Sequence, residues 1–122
     1  MNVGDLMSKP VWTVEPESSL AEATTVMGER HIGSTLVLES GRLVGILTER
    51  DVVRAMSSAF DAPSRPVIEW MTKDPTTVGP DIPVKEALRI MVEGGFRHLP
   101  VVDSDDVTGI LSMRDIARAL AD

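Results

Sequence analysis

Two short runs hold the residue types best suited to chemistry: Gly45-Ile46-Leu47-Thr48-Glu49-Arg50-Asp51 and Gly109-Ile110-Leu111-Ser112-Met113-Arg114-Asp115, 64 residues apart. In each, an apolar triplet reads as the end of a buried strand, the hydroxyl residue as the turn, and the carboxylate as part of the first turn of a helix. A helix start offers N–H groups without intrahelical partners, so a ligand could meet both backbone donors and a polar side chain there. The same spacing also has a local use. Thr48 with Asp51, and Ser112 with Asp115, match a capping box, in which Glu is commoner at the third position but Asp can serve.

Arg97 and His98 form the most informative asymmetry, because the equivalent residues 64 positions earlier are Gly33 and Ser34. A guanidinium can grip a phosphate through two N–H groups, and an imidazole adds charge once protonated. Solvation of Arg97 and an ordinary interface role for His98 compete with that use. Arg50 and Arg114 start helices, where a cation opposes the helix dipole, which points to a phosphate or carboxylate partner. No nucleophile, base and orienting group are arranged together, so no catalytic residue is assigned and a binding protein rather than an enzyme is expected. His31 and His98, the only histidines, occupy inequivalent positions and no cysteine accompanies them, so no metal site is assigned.

The elements that must position these groups come from a chain of 122 residues that is 43% hydrophobic but only 3% aromatic. A domain of this size buries roughly two thirds of its unfolded surface, here with Val, Leu, Ile, Met and Ala. The net charge of −7, from 19 acidic and 12 basic residues, argues against a nucleic-acid polymer as partner. A small anion remains compatible if basic groups concentrate at its site. No leader-like segment and no apolar run of membrane length is seen, and the absence of cysteine rules out thiol chemistry, so a cytoplasmic, membrane-free protein is expected.

Sliding the sequence by 64 residues aligns 3–56 with 67–120 without a gap, and 19 of the 54 pairs are identical. Halves of about 60 residues are marginal alone, so one pseudo-twofold unit is expected. Within the first half, 3–7 is a lead-in, 12–14 an extended piece, and Ser19 with Glu22 caps a helix over 20–29. Strands over 35–38 and 43–47 flank a Gly-containing turn, and Thr48 caps the last helix. The second half repeats this: an extended piece at 76–78, a helix with Pro83 in its first turn, strands over 99–102 and 107–111, and a helix capped by Ser112. Residues 57–66, rich in Asp, Pro and Ser, read as a linker.

With these motifs in view, the chain resembles the cystathionine-beta-synthase (CBS) domain family in its tandem form, the CBS pair or Bateman module. The features that carry the resemblance are Met7-Ser8-Lys9 and Met71-Thr72-Lys73, Thr13-Val14 and Thr77-Val78, the two Gly-Ile-Leu-Thr/Ser-x-Arg-Asp exits, and His98-Leu99-Pro100-Val101-Val102-Asp103. The resemblance implies an α+β fold: tandem β-α-β-β-α repeats packed sheet to sheet about a pseudo-dyad, with repeats at 1–58 and 67–122 joined by a linker at 59–66.

The family commonly binds AMP, ADP, ATP or S-adenosylmethionine as regulatory ligands. By that analogy Asp51 and Asp115 accept hydrogen bonds from ribose hydroxyls, a task suited to an acceptor-only carboxylate. Thr48 and Ser112 lie near phosphates or ribose, and Arg97 and His98 reach the phosphates. Thr13, Val14, Thr77 and Val78 receive the adenine, and Pro100 shapes the second cleft, where the first repeat has Leu36. Core packing is the competing use for these apolar residues.

The resemblance further implies a free-standing adenosyl-nucleotide sensor, a homodimer forming a disc of four repeats, and a regulated protein partner. The alternative is a ligand-independent dimeric scaffold or interaction module.

Overall fold

A computed structural model describes residues 1–121. In chain order the elements are α1 (Val3–Leu6), β1 (Thr13–Val14), α2 (Leu20–Arg30), β2 (Ser34–Glu39), β3 (Arg42–Thr48), α3 (Glu49–Ser58), β4 (Thr72–Lys73), α4 (Val84–Gly94), β5 (His98–Asp103), β6 (Asp106–Ser112) and α5 (Met113–Ala121). Short 3-10 turns at Ala62–Ser64 and Val67–Glu69 precede β4. The fold is α+β.

Local chemistry accounts for most boundaries. The Ser19 hydroxyl accepts the Glu22 amide while the Glu22 carboxylate accepts from Ser19, starting α2. Helix α2 ends with His31 in the left-handed region, and the Ile32 amide reaches back to the Met27 carbonyl. Helix α4 ends in the same way at Gly95, with Phe96 donating to Met91. Pro83 stands one residue before α4 as its cap, rather than inside the first turn as the spacing suggested. Both hairpins turn on two residues with positive φ, Ser40–Gly41 and Ser104–Asp105, the backbone that matches strand twist in a two-residue loop.

The chain packs as two units whose membership crosses the sequence repeat. Among the described residues one unit comprises Trp12–Pro75, the other Met1–Val11 together with 76–121. In the first, strand order is β1-β2-β3-β4, with β1 parallel to β2 and the other pairs antiparallel. In the second, the β5–β6 hairpin is flanked on one side by a parallel bridge from Val78 to Val101 and on the other by an antiparallel bridge from Ser8 to Ile110. Thus the short segment before each first extended piece completes the other repeat's sheet. Met1–Val11 serves the second repeat, and 62–75 the first.

Each unit has its own apolar core. Leu20, Ala23, Met27, Val37, Leu47, Ala55, Ala62, Val67 and Met71 form one cluster; Val3, Val78, Ala87, Met91, Leu99, Val101, Leu111 and Ile116 form the other. Val3, with no exposed surface, ties α1 into the second cluster. Ala62 does the same for the first, so the segment between the halves contributes to a core.

Candidate functional site

The strand-to-helix corners are built as the sequence suggested. In the first unit the Thr48 amide donates to Asp51 Oδ2 at 2.9 Å, the Thr48 hydroxyl donates to the same oxygen at 3.1 Å, and the Asp51 amide returns to Thr48 Oγ1 at 3.3 Å. In the second the Ser112 amide donates to Asp115 Oδ2 at 2.8 Å and the Asp115 amide to Ser112 Oγ at 3.1 Å. Each carboxylate is therefore aimed by the cap it completes, and capping and ligand contact are compatible uses of one side chain.

Two groups that sequence reasoning passed over meet these carboxylates. Ser8 Oγ donates to Asp115 Oδ1 at 3.0 Å. Its backbone is held on both sides by β6, with Ser8 N–H to the Ile110 carbonyl at 2.8 Å and Ile110 N–H to the Ser8 carbonyl at 3.2 Å. On Asp51 the newcomer is Arg54: Nη2 lies 3.3 Å from Oδ1 and also donates to the Trp70 carbonyl at 2.9 Å. Arg54 belongs to the repeat-identical set, which was its only signal. Ser8 lies in the Met-Ser-Lys motif, but pairing across 107 positions has no local signature.

The remaining candidates fall around each corner. The Arg97 carbonyl accepts from the Met113 amide at 2.9 Å, fastening the end of the α4–β5 connection to the first turn of α5, while its side chain is exposed. His98, half-buried, pairs with Ser112 in the β5–β6 register. Gly33 fastens Glu49 in the first unit as Arg97 fastens Met113 in the second.

Thr13 and Thr77 are exposed, and Val14 is half-buried beside Val37. Val78 belongs to the core, and its main chain is engaged on both sides, donating to Pro100 and accepting from Val102. Pro100 and its counterpart Leu36 are fully buried. Thr77 is therefore the more accessible member of the Thr77-Val78 pair. Among the described residues no helix is long and apolar enough to cross a membrane, and no group of three His, Cys, Asp or Glu side chains gathers as metal ligands would.

Comparison with known proteins bears on the family and the fold. The CBS domain family model matches residues 3–58 and again 67–122. An uncharacterized 17.7 kDa protein of Acidianus ambivalens is 46% identical over 122 residues, covering 98% of this chain and 73% of that protein. The crystal structure of the CBS domain pair of protein MJ0100, in complex with 5′-methylthioadenosine and S-adenosyl-L-methionine, matches with a TM-score of 0.91 at 29% identity over 99% of this chain and 96% of that one. The structure of CBSX2 in complex with AMP matches with a TM-score of 0.87 at 26% identity over 98% and 96% of the two chains. Two family matches in one chain, each spanning one of the carboxylate-capped corners, leave one conclusion: this chain belongs to the CBS domain family, as a tandem pair.

Proposed function

We propose that the chain is a regulatory binding module whose ligand is an adenosyl compound: AMP, ADP, ATP or S-adenosylmethionine. The observation that carries this reading is the Asp115 carboxylate, held at the start of α5 by the Ser112 amide in a family whose relatives include pairs seen with AMP and with S-adenosylmethionine. Asp115 receives the ribose, while Arg97, exposed at the same turn, and His98 face the phosphates. Ser112 and the α5 amides add donors, and Thr77, Val78 and Pro100 border the adenine. Thr13, Val14, Thr48 and Asp51 are the equivalent set in the other unit. The protein works in the cytoplasm by binding, without catalysis, and passes ligand occupancy to a partner protein or to its own assembly. That requires the ligand to favour one arrangement over another.

The assembly is a homodimer of four repeats in all. Val53 and Met56, one turn apart on α3, and Leu120 on α5 are 65%, 56% and 79% exposed, the apolar surface that such an assembly would cover. The same exposed apolar groups, with the buried Pro100 and Leu36, favour a second reading: a scaffold whose clefts stay filled by side chains.

Thermal unfolding with and without each adenosyl compound separates the two. A ligand at a hundred times its Kd adds about 2.7 kcal/mol to the stability of the folded state. The midpoint should rise for at least one compound, and Asp115→Asn should remove most of that rise while leaving the ligand-free midpoint nearly unchanged, because an amide keeps part of the cap. Light scattering on the same samples reads the dimer. Identical midpoints with all four compounds at millimolar concentration would leave the scaffold as the function.

A further inference from the structure

The two corners look alike in sequence but not in what their carboxylates have left to offer. An ionised carboxylate has about four lone-pair positions, two on each oxygen. On Asp115 the Ser112 amide occupies one position of Oδ2 and the Ser8 hydroxyl one of Oδ1. One acceptor position therefore remains on each oxygen, the pattern that can take the two O–H groups of a vicinal diol side by side.

On Asp51, Oδ2 already accepts twice, from the Thr48 amide and the Thr48 hydroxyl, and Oδ1 accepts from Arg54. A single position on a single oxygen is left. The Asp51 side chain is 9% exposed, whereas Asp115 keeps more of its surface. Arg54 is also anchored away from its partner by the Trp70 carbonyl at 2.9 Å, so it lies as a strap over the Asp51 corner. Arg118, at the repeat position of Arg54, forms no ion pair with Asp115 among the described residues, and Ser8 takes that oxygen instead.

We infer that the pair is functionally unequal: Asp115, positioned by Ser8, is the receptive vicinal-diol site, and Arg54 holds the Asp51 corner closed, so the chain takes one such ligand. Ser8 acts through Asp115, fixing the carboxylate plane so that both remaining positions face outward. Arg54 acts by neutralising and covering Asp51. An ion pair with 58% of the arginine side chain exposed is individually weak, so the strap can be removed by one substitution. This rests on the adenosyl reading, and its test keeps the two apart.

Calorimetric titration with AMP and with 2′,3′-dideoxy-AMP reads affinity and stoichiometry together. The wild-type chain should take one AMP, and the dideoxy analogue should bind at least tenfold more weakly. Asp115→Asn should weaken AMP at least tenfold, Ser8→Ala severalfold, and Asp51→Asn less than twofold. Arg54→Met should raise the stoichiometry from one to two, because both positions of the uncovered Oδ1 then become free for the two hydroxyls while Oδ2 stays on Thr48, an effect that a purely structural role for Arg54 would not produce. Two AMP per wild-type chain, equal losses for Asp51→Asn and Asp115→Asn, or one AMP per chain in Arg54→Met would each overturn the inequality while sparing the adenosyl reading. Equal binding of the dideoxy analogue would overturn the diol contact alone. Absence of heat with AMP in the wild type and in Arg54→Met, joined to unchanged melting with all the adenosyl compounds, would overturn both.

Discussion

Thr35 stands where the second repeat has Leu99, and both are buried, at 1% and 0% exposure. They share the strand face of Val37 and Val101, which point into the two cores. No protein group among the described residues bonds the Thr35 hydroxyl, so folding strips it of water without a replacement, at a cost of about 1–3 kcal/mol. Valine keeps the β-branched shape and removes the polar atom. Thr35→Val should therefore stabilise the protein by about 1 kcal/mol in a urea titration with unchanged slope, and destabilisation would mean that the hydroxyl has a partner in solution. At this scale the sequence was a good guide to the site only where chemistry is local. Thr48 with Asp51 and Ser112 with Asp115 could be read from a three-residue spacing that a helix start enforces. Ser8 on Asp115 could not, because it depends on which strand edge the lead-in joins, and Arg54 on Asp51 depends on which way a long side chain turns.

Among the elements, helices α2 and α3 and both hairpins follow from caps, apolar spacing and turn residues, and the observed spans exceed the expected ones by only a residue or so at each end. The two-residue strand β4 and the bridge at Ser8 escaped because so short a segment has no periodicity. They are nevertheless what shapes the repeated glycines. An alanine Cβ at Gly109 would lie 2.6 Å from Met7 Sδ and 2.8 Å from its Cγ; at Gly45 it would lie 2.5 Å from Met71 Sδ and 3.0 Å from its Cγ. Each glycine thus admits the methionine of the segment laid beside it. Alanine would gain roughly 0.5–1 kcal/mol in backbone entropy, but overpacking typically costs about 1–3 kcal/mol. The Met7 Cβ, only 3.2 Å from the added carbon, limits how far the side chain can swing away. Gly109→Ala should destabilise by about 1 kcal/mol, and a cycle with Met7→Ala should show that the two substitutions couple; additive effects would mean that the clash relaxes freely.

For the molecule as a whole, the sequence repeat at 64 residues led to the expectation of one pseudo-twofold unit built from two like halves, and the two cores bear the same residue pattern at equivalent positions. Which segment completes which body was not readable, since Met7-Ser8 and Met71-Thr72 are nearly interchangeable as local sequence. The structure assigns Met1–Val11 to the unit of the second repeat. There Val3 is fully buried, and the amides of Val3 and Gly4 donate to the carbonyls of Ile82 and Pro80. Ser8 extends β6 and reaches the Asp115 carboxylate. Removing residues 1–9 should therefore damage the half of the chain most distant in sequence. Burial of a valine side chain alone stabilises by about 1.5–3 kcal/mol, and loss of the paired edge adds to that, so the unit holding β5, β6 and α5 should lose about 3 kcal/mol or more. Native-state hydrogen exchange resolves the two bodies: amide protection should fall in β5 and β6 while β2 and β3 keep theirs, and AMP affinity should fall with it because Ser8 is gone. Protection lost first from β2 and β3, the neighbours in the first half, would show that the lead-in serves its own repeat.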